Sequence, residues 1–237
     1  MIRILGIESS SLVASVALVT GDVLTAEYTV NFKKTHSQTL LPMIYEVVSM
    51  VELDLNTIDA IAVAGGPGSF TGLRIGSATA KGLGFALKKP LIHVPTLEAM
   101  AYNLWGSSAL ICPIMDARRN QVYTGLYHVR RGIEVVKDQC PMDMGELAVL
   151  LNQTGEDVIF LGDGIGAYEG LIKEEIKVPF EFAPASLNRQ RGASVAALGM
   201  EYYKKGRIVE GALFAPDYLR KSQAEREREE QYGQVDG

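Results

Sequence analysis

Histidine, serine and glycine are the residue types that could carry chemistry in this 237-residue chain, and their spacing decides which chemistry. His36, His93 and His128 stand far apart, and none has a second histidine three to five residues away. No helix-borne HExxH or HxxxH metal pair therefore exists, and capping or core hydrogen bonding is the plainer role for each. Ser9, Ser10 and Ser11 follow an apolar run. The run Gly6-Ile7-Glu8-Ser9-Ser10 is not a GxSxG elbow, however, and no supporting Asp and His order stands out. Glycine offers more. Gly65-Gly66-Pro67-Gly68-Ser69 lies between an apolar run and a helical pattern. Backbone N–H groups of such a turn, with the next helix dipole, suit an anion. The loop holds no lysine and no GxxxxGK[ST], so a tight strand-to-helix turn explains it equally well.

The elements that must position these residues follow from periodicity. Ile2–Ile7, Leu12–Val19 and Val23–Val30 read as strands, the last two joined by a turn at Thr20-Gly21-Asp22. Leu40, Leu41, Ile44, Val47, Val48 and Val51 share one stripe of a helix over about 37–51, with Ser37 as its cap. Pro42 then needs to lie near the start of that helix. Ile58–Ala64 is a buried strand, and a helix over about 71–87 carries Gly72, Gly76, Ala80 and Gly84 at a strict spacing of four. Each glycine in a helix interior costs about 1 kcal/mol against alanine, so something must pack very close to that row. Leu91–Val94 is a fifth strand, with a short helix to Leu104.

The order starts again with strands Leu110–Met115, Val122–Val129 and Ile133–Asp138, then a helix near 144–152, strand Val158–Leu161 and a helix near 165–174. Two β-β-β-α-β-α-β halves predict an α/β chain of the actin-like, sugar-kinase superfamily fold: two ribonuclease-H-like half-domains, each with a mixed five-stranded sheet. The halves run 1–105 and 106–220, the helix near 193–204 completing the first, and the charge-dense segment 221–237 reads as disordered, the alternative being a partner-dependent helix over 224–231. On this topology Glu8, Ser9 and Ser10 at the first hairpin, and Gly66 and Gly68, stand where the superfamily keeps its two phosphate loops. Gly162 and Gly164 stand where it would contact adenosine, and are equally a strand-to-helix loop. Glu8 could help hold a metal–nucleotide complex, but a magnesium site needs a second well-placed carboxylate, for which Asp116 is the one candidate. Arg118 and Arg119 could pair with anions or lace the turn to Asp116 and Glu98.

Composition narrows the classes. Hydrophobic residues are 47% and charged residues 22% of the chain, which excludes a wholly disordered protein. A formal net charge of −5 disfavours a free-standing nucleic-acid binder. Any RNA contact would need a local strip such as Arg118, Arg119, Arg130 and Arg131. Two cysteines, Cys112 and Cys140, make no disulfide framework. Without an apolar leader or an 18-residue apolar run, a soluble, cytoplasmic protein away from membranes is expected.

Four segments carry a resemblance over about residues 1–220. The run Gly66-Pro67-Gly68-Ser69-Phe70-Thr71-Gly72-Leu73-Arg74-Ile75-Gly76, with Ala80-Lys81-Gly82-Leu83, resembles the TsaB (YeaZ) family. So do His36-Ser37-Gln38-Thr39-Leu40-Leu41-Pro42, the Asp116-Ala117-Arg118-Arg119 segment leading to Val122-Tyr123, and Pro216-Asp217-Tyr218-Leu219-Arg220.

The resemblance implies a non-catalytic subunit of the bacterial machinery that makes threonylcarbamoyladenosine beside the tRNA anticodon. Its partner would be the TsaD paralogue, which carries the HxxxH absent here and does the transfer; the TsaE ATPase joins that heterodimer. It further implies docking through the first two helices, with Leu40, Leu41, Ile44, Val48, Phe70, Gly72, Leu73, Gly76 and Ala80 at the interface. The same helices could pair as a homodimer in the partner's absence. No cofactor of its own is implied beyond weak or vestigial ATP or ADP binding, no metal, and tRNA contact only through the complex. The older description of the wider family as a glycoprotein endopeptidase finds no chemistry in these residues. The alternative is an ATP-dependent small-molecule kinase on the same fold, which requires a bound metal nucleotide and cleft carboxylates.

Overall fold

A computed structural model describes residues 1–219, so the expected disordered tail lies outside the described residues. Strands β1 (Arg3–Glu8), β2 (Val13–Thr20) and β3 (Val23–Asn31) form an antiparallel meander. Helix α1 (His36–Met50), strand β4 (Ala60–Ala64), helix α2 (Phe70–Leu87) and strand β5 (Leu91–Val94) complete a sheet of order β3-β2-β1-β4-β5. Helix α3 (Thr96–Tyr102) leads to β6 (Leu110–Arg118), β7 (Gln121–His128), β8 (Glu134–Asp143), α4 (Met144–Thr154), β9 (Val158–Leu161), α5 (Ile165–Glu175) and β10 (Phe180–Phe182). The second sheet, read β8-β7-β6-β9-β10, repeats the order of the first.

Period-two alternation assigns each strand face a different cover. Leu5, Ile7, Ile61 and Val63 point to α1 and α2 and meet Leu40, Ile44, Val47 and Ala80 in one core. Ile4, Ala60, Ala62 and Ala64 point the other way, to α6 (Gly192–Lys204), with Val195, Ala196 and Leu198. Contact with α6 is very close. A Cβ on Gly6 would lie 2.5 Å from the Gly192 carbonyl oxygen, and one on Gly199 2.5 Å from Ala62 Cβ. Between the sheets, α3 sends Leu97, Met100 and Ala101 into a core with Ile111, Tyr127 and Leu161. Asn103, just past α3, fastens the later chain by donating to the carbonyls of Leu187 (2.9 Å) and Arg189 (2.8 Å).

Local chemistry departs from the sequence reading in three places. Helix α1 starts at His36 with Thr35 as an N-cap that makes no side-chain bond, rather than at Ser37. Pro42 is therefore its seventh residue; it faces solvent, so water can serve the Gln38 carbonyl that lacks an N–H partner. Strand β10 has only three residues, too short for periodicity to register.

Candidate functional site

The first pair of glycine loops is interlocked. Ser10 at the β1–β2 turn accepts the Ser69 N–H through its carbonyl at 2.6 Å, and the Ser9 hydroxyl donates to the Gly72 carbonyl at 3.0 Å. Ser69 caps α2 by accepting from the Gly72 N–H at 3.3 Å. A Cβ on Gly68 would sit 2.3 Å from the Ser10 carbonyl oxygen, on Gly72 2.1 Å from that of Ser9, and on Gly76 2.2 Å from the Ser9 hydroxyl. Two of the amides an anion would use are thus bonded within the chain. Beneath the turn, Glu8 is 1% exposed and accepts the Ser10 N–H at 2.6 Å. Burial pushes its carboxyl up to about 7, against the pull of the Ser10 and Ser9 hydrogen bonds.

The second half repeats the closure. Gly162, at φ +112°, would place a Cβ 2.0 Å from the Ile114 carbonyl oxygen, and that same oxygen accepts the Gly164 N–H at 3.1 Å. Arg189 donates to the Gly162 carbonyl at 2.9 Å. Asp116 is exposed and folds back to accept the Arg118 N–H at 2.7 Å. Arg118, Arg119 and Asn120 follow in left-handed conformation, φ +63°, +56° and +59°. No hydrogen bond joins Glu8, Ser9, Ser10, Gly66 or Gly68 to Asp116, Arg118, Gly162 or Gly164 among the described residues. Nor does any group of three His, Cys, Asp or Glu side chains there suit a metal ion. The expected arginine strip is split: Arg118 and Arg119 precede β7, whereas Arg130 and Arg131 follow it, about 26 Å away at roughly 3.3 Å per residue.

The predicted docking residues need a correction. Leu40, Ile44, Gly72, Leu73, Gly76 and Ala80 are buried within the chain's own fold. The small-residue row of α2 faces inward, Gly72 and Gly76 against Ser9 of the hairpin turn, Ala80 in the core and Gly84 against Leu91 and Lys89, while Leu40 and Ile44 fill the core beneath α1. Val48 and Phe70 are half-buried, and Leu41 alone of the nine is exposed. A different set looks outward. On α1 it is Leu41 and Tyr45, the latter 70% exposed; on α2 it is Arg74, Ala78, Gly82 and Phe85, the last 89% exposed. Positions 74, 78, 82 and 85 share one helix face. A Cβ on Gly82 would meet nothing within 4 Å. The spacing of Ala78, Gly82 and Ala86 is the same four residues as the inward row, displaced by two, and was the signal available.

A strap after α6 runs along the β5 edge to the start of α2. Val209 and Leu91 exchange backbone hydrogen bonds at 2.8 and 2.9 Å, and Phe214 enters the first core beside the His93 ring. The Asp217 N–H donates to the Gly65 carbonyl at 2.6 Å, and its carboxylate stands 3.3 Å from His93 Nε2. Tyr218 then packs against Phe70 with centroids 4.8 Å apart and the rings tilted by 43°. Arg74 lies over Phe70, its Cζ 3.8 Å from the ring centroid, and donates from Nε to the Tyr218 hydroxyl at 3.3 Å.

Comparison with known proteins fits this architecture. The family model described as "TsaD: tRNA N6-adenosine threonylcarbamoyltransferase" matches residues 30–228. The tRNA threonylcarbamoyladenosine biosynthesis protein TsaB of Bacillus subtilis (strain 168) is 36% identical, the match spanning 94% of this chain and 96% of that protein. The structure of YeaZ from Pseudomonas aeruginosa superposes with a TM-score of 0.80 at 27% identity, over 92% of this chain and 100% of that one. An inorganic polyphosphate/ATP-glucomannokinase from Arthrobacter sp. strain KM, at 11% identity and TM-score 0.50 over 86% of this chain and 100% of its own, shares the fold alone. The two mixed five-stranded sheets of one strand order make an α/β fold, which the chain shares with YeaZ and with that kinase.

Proposed function

The chain belongs to the TsaB (YeaZ) family, and from that premise we propose that it works in tRNA threonylcarbamoyladenosine biosynthesis as a non-catalytic subunit. It docks the TsaD transferase through the outward face of α1 and α2, and the resulting heterodimer recruits the TsaE ATPase. The observation that carries this reading is the exposed apolar face on two adjacent helices. Tyr45 and Phe85 stand proud of it, and Gly82 leaves room for another backbone to approach. Large exposed aromatic side chains beside small ones mark a protein-docking surface. The interlocked glycine loops favour a subunit that turns over no nucleotide and binds ATP or ADP weakly at most. The protein works in the cytoplasm, meets tRNA only within the complex, and pairs with a second copy of itself when the transferase is missing. Among the described residues no helix is long and apolar enough to cross a membrane.

The test is the mass in solution of the purified chain, alone and mixed with the TsaD paralogue of the same organism. A one-to-one species formed at the expense of any homodimer supports the reading, as does its loss on Gly82→Leu. Failure to associate at any ratio overturns it, and so does rapid ATP hydrolysis or threonylcarbamoyl transfer by the isolated chain.

A further inference from the structure

Arg74 sits at one end of the outward face of α2, in the second turn of the helix, close to the positive end of the helix dipole. No acidic residue occupies the first turn of α2. Among the described residues, no carboxylate lies within ion-pair distance of the guanidinium. A cation at this place gains nothing from its own helix.

The guanidinium is nevertheless held. Its Cζ lies over the Phe70 ring, its Nε is engaged by the Tyr218 hydroxyl, and the Tyr218 ring centroid lies 5.9 Å away. Both aromatic rings are fixed in turn, Phe70 as the first residue of α2 and Tyr218 by the strap anchored at Gly65. With one face and the Nε occupied, the two terminal nitrogens form the edge left for an incoming group. A surface arginine usually loses side-chain freedom on forming a bidentate pair; this one has lost it beforehand.

We propose that Arg74 is a pre-set receptor for a carboxylate of the partner subunit, at the end of the docking face formed by Ala78, Gly82 and Phe85. The inference rests on the docking reading above and adds to it a polar anchor with a stated chemistry. An aspartate or glutamate at the matching edge of the partner would take the two terminal nitrogens as a fork-to-fork pair, fixing the register of an otherwise apolar contact. The strap thereby becomes a positioning element: Tyr218 touches no partner group but orients the arginine that does.

The experiment measures affinity of the full-length chain for the purified TsaD paralogue with RNA absent, and in a separate titration for tRNA, for the wild type and for Arg74→Gln, Arg74→Lys and Tyr218→Phe. Arg74→Gln should weaken binding by about ten- to hundredfold and flatten its salt dependence. Arg74→Lys should recover little, because a point charge cannot reproduce the fork. Tyr218→Phe keeps the ring but drops the bond, and should cost a smaller factor. Thermal unfolding of the free variants serves as the control for folding.

Three results would overturn the proposal. One is unchanged affinity in Arg74→Gln. Another is unchanged affinity with faster hydrogen exchange over 214–219, which makes Arg74 a fastener of the strap only. The third is a loss seen for tRNA and not for the paralogue, which makes phosphate the ligand. Failure of the wild-type chain to bind the paralogue sinks the docking reading and this one with it, whereas wild-type binding that ignores Arg74 sinks this one alone.

Discussion

Gly76 and Ser9 are in contact across the gap between α2 and the first hairpin, so close that a Cβ on Gly76 would stand 2.2 Å from the Ser9 hydroxyl oxygen. The Ser9 hydroxyl is itself committed to the Gly72 carbonyl one turn earlier. Helix and hairpin are therefore in register through glycine, and that contact makes opposite substitutions on one helix behave differently.

Gly76→Ala should destabilise the protein by about 1–3 kcal/mol, since the gain in helix propensity cannot offset moving the hairpin turn. Gly82→Ala on the opposite face should stabilise it by about 0.5–1 kcal/mol, because nothing opposes the added methyl. Urea unfolding of the two variants checks both signs.

The buried Glu8 carboxyl sets a pH dependence. Its pKa rises from 4.5 to about 7 on folding, so the native state holds the proton more tightly than the unfolded chain. The stability it contributes is complete below about 4.5 and is lost as pH climbs through about 7. Glu8→Gln should remove that fall, gaining up to about 3 kcal/mol over wild type at pH 8 and little at pH 4. Guanidinium titrations at several pH values supply the difference curve; equal curves would discard the assignment.

Tyr45→Ser together with Phe85→Ser should leave folding stability within about 0.5 kcal/mol, because both side chains face solvent. Affinity for the TsaD paralogue should fall by about tenfold or more. Calorimetry of the double variant against wild type tests the pair of outcomes.

The two cysteines should react in sequence. Cys112 is fully buried and burial pushes its thiol up to about 12, opposed only by its contact with Thr124, while Cys140 keeps partial exposure. A disulfide reagent at neutral pH should titrate one thiol in the folded protein and two in denaturant. Mass spectrometry should find the native adduct on Cys140.

Much of this fold was legible in the sequence, because its strands are long apolar runs and its helices carry wide stripes. The doubled element order followed from those alone, and the two sheets repeat one strand order. The docking face was harder. Helix α2 carries small residues at a spacing of four on both of its sides, Gly72, Gly76, Ala80 and Gly84 inward and Ala78, Gly82 and Ala86 outward. Periodicity finds such rows but cannot orient them; the partners that do, Ser9 against Gly72 and Gly76 above all, belong to other segments. Arg74 was invisible as more than a charge, since its fixing depends on Tyr218, 144 residues later. The glycine loops read as cradles for the same reason. Composition could not show that Ser10 and Ser69 would bond to each other.

The cover of the first sheet has a consequence for the order of synthesis. Strands β1, β4 and β5 are complete once Val94 has been made, but α6, which seals their second face, ends at Lys204. At ribosomal rates of roughly 5–20 residues per second, that face waits for about 5–20 s. During that interval Ile4, Ala60, Ala62 and Ala64 lack α6, while the second sheet can already close on α4 and α5. The later half of the chain is thus able to finish folding before the earlier one. A nascent chain arrested before α6 emerges should depend on chaperone capture in a way that the released chain does not.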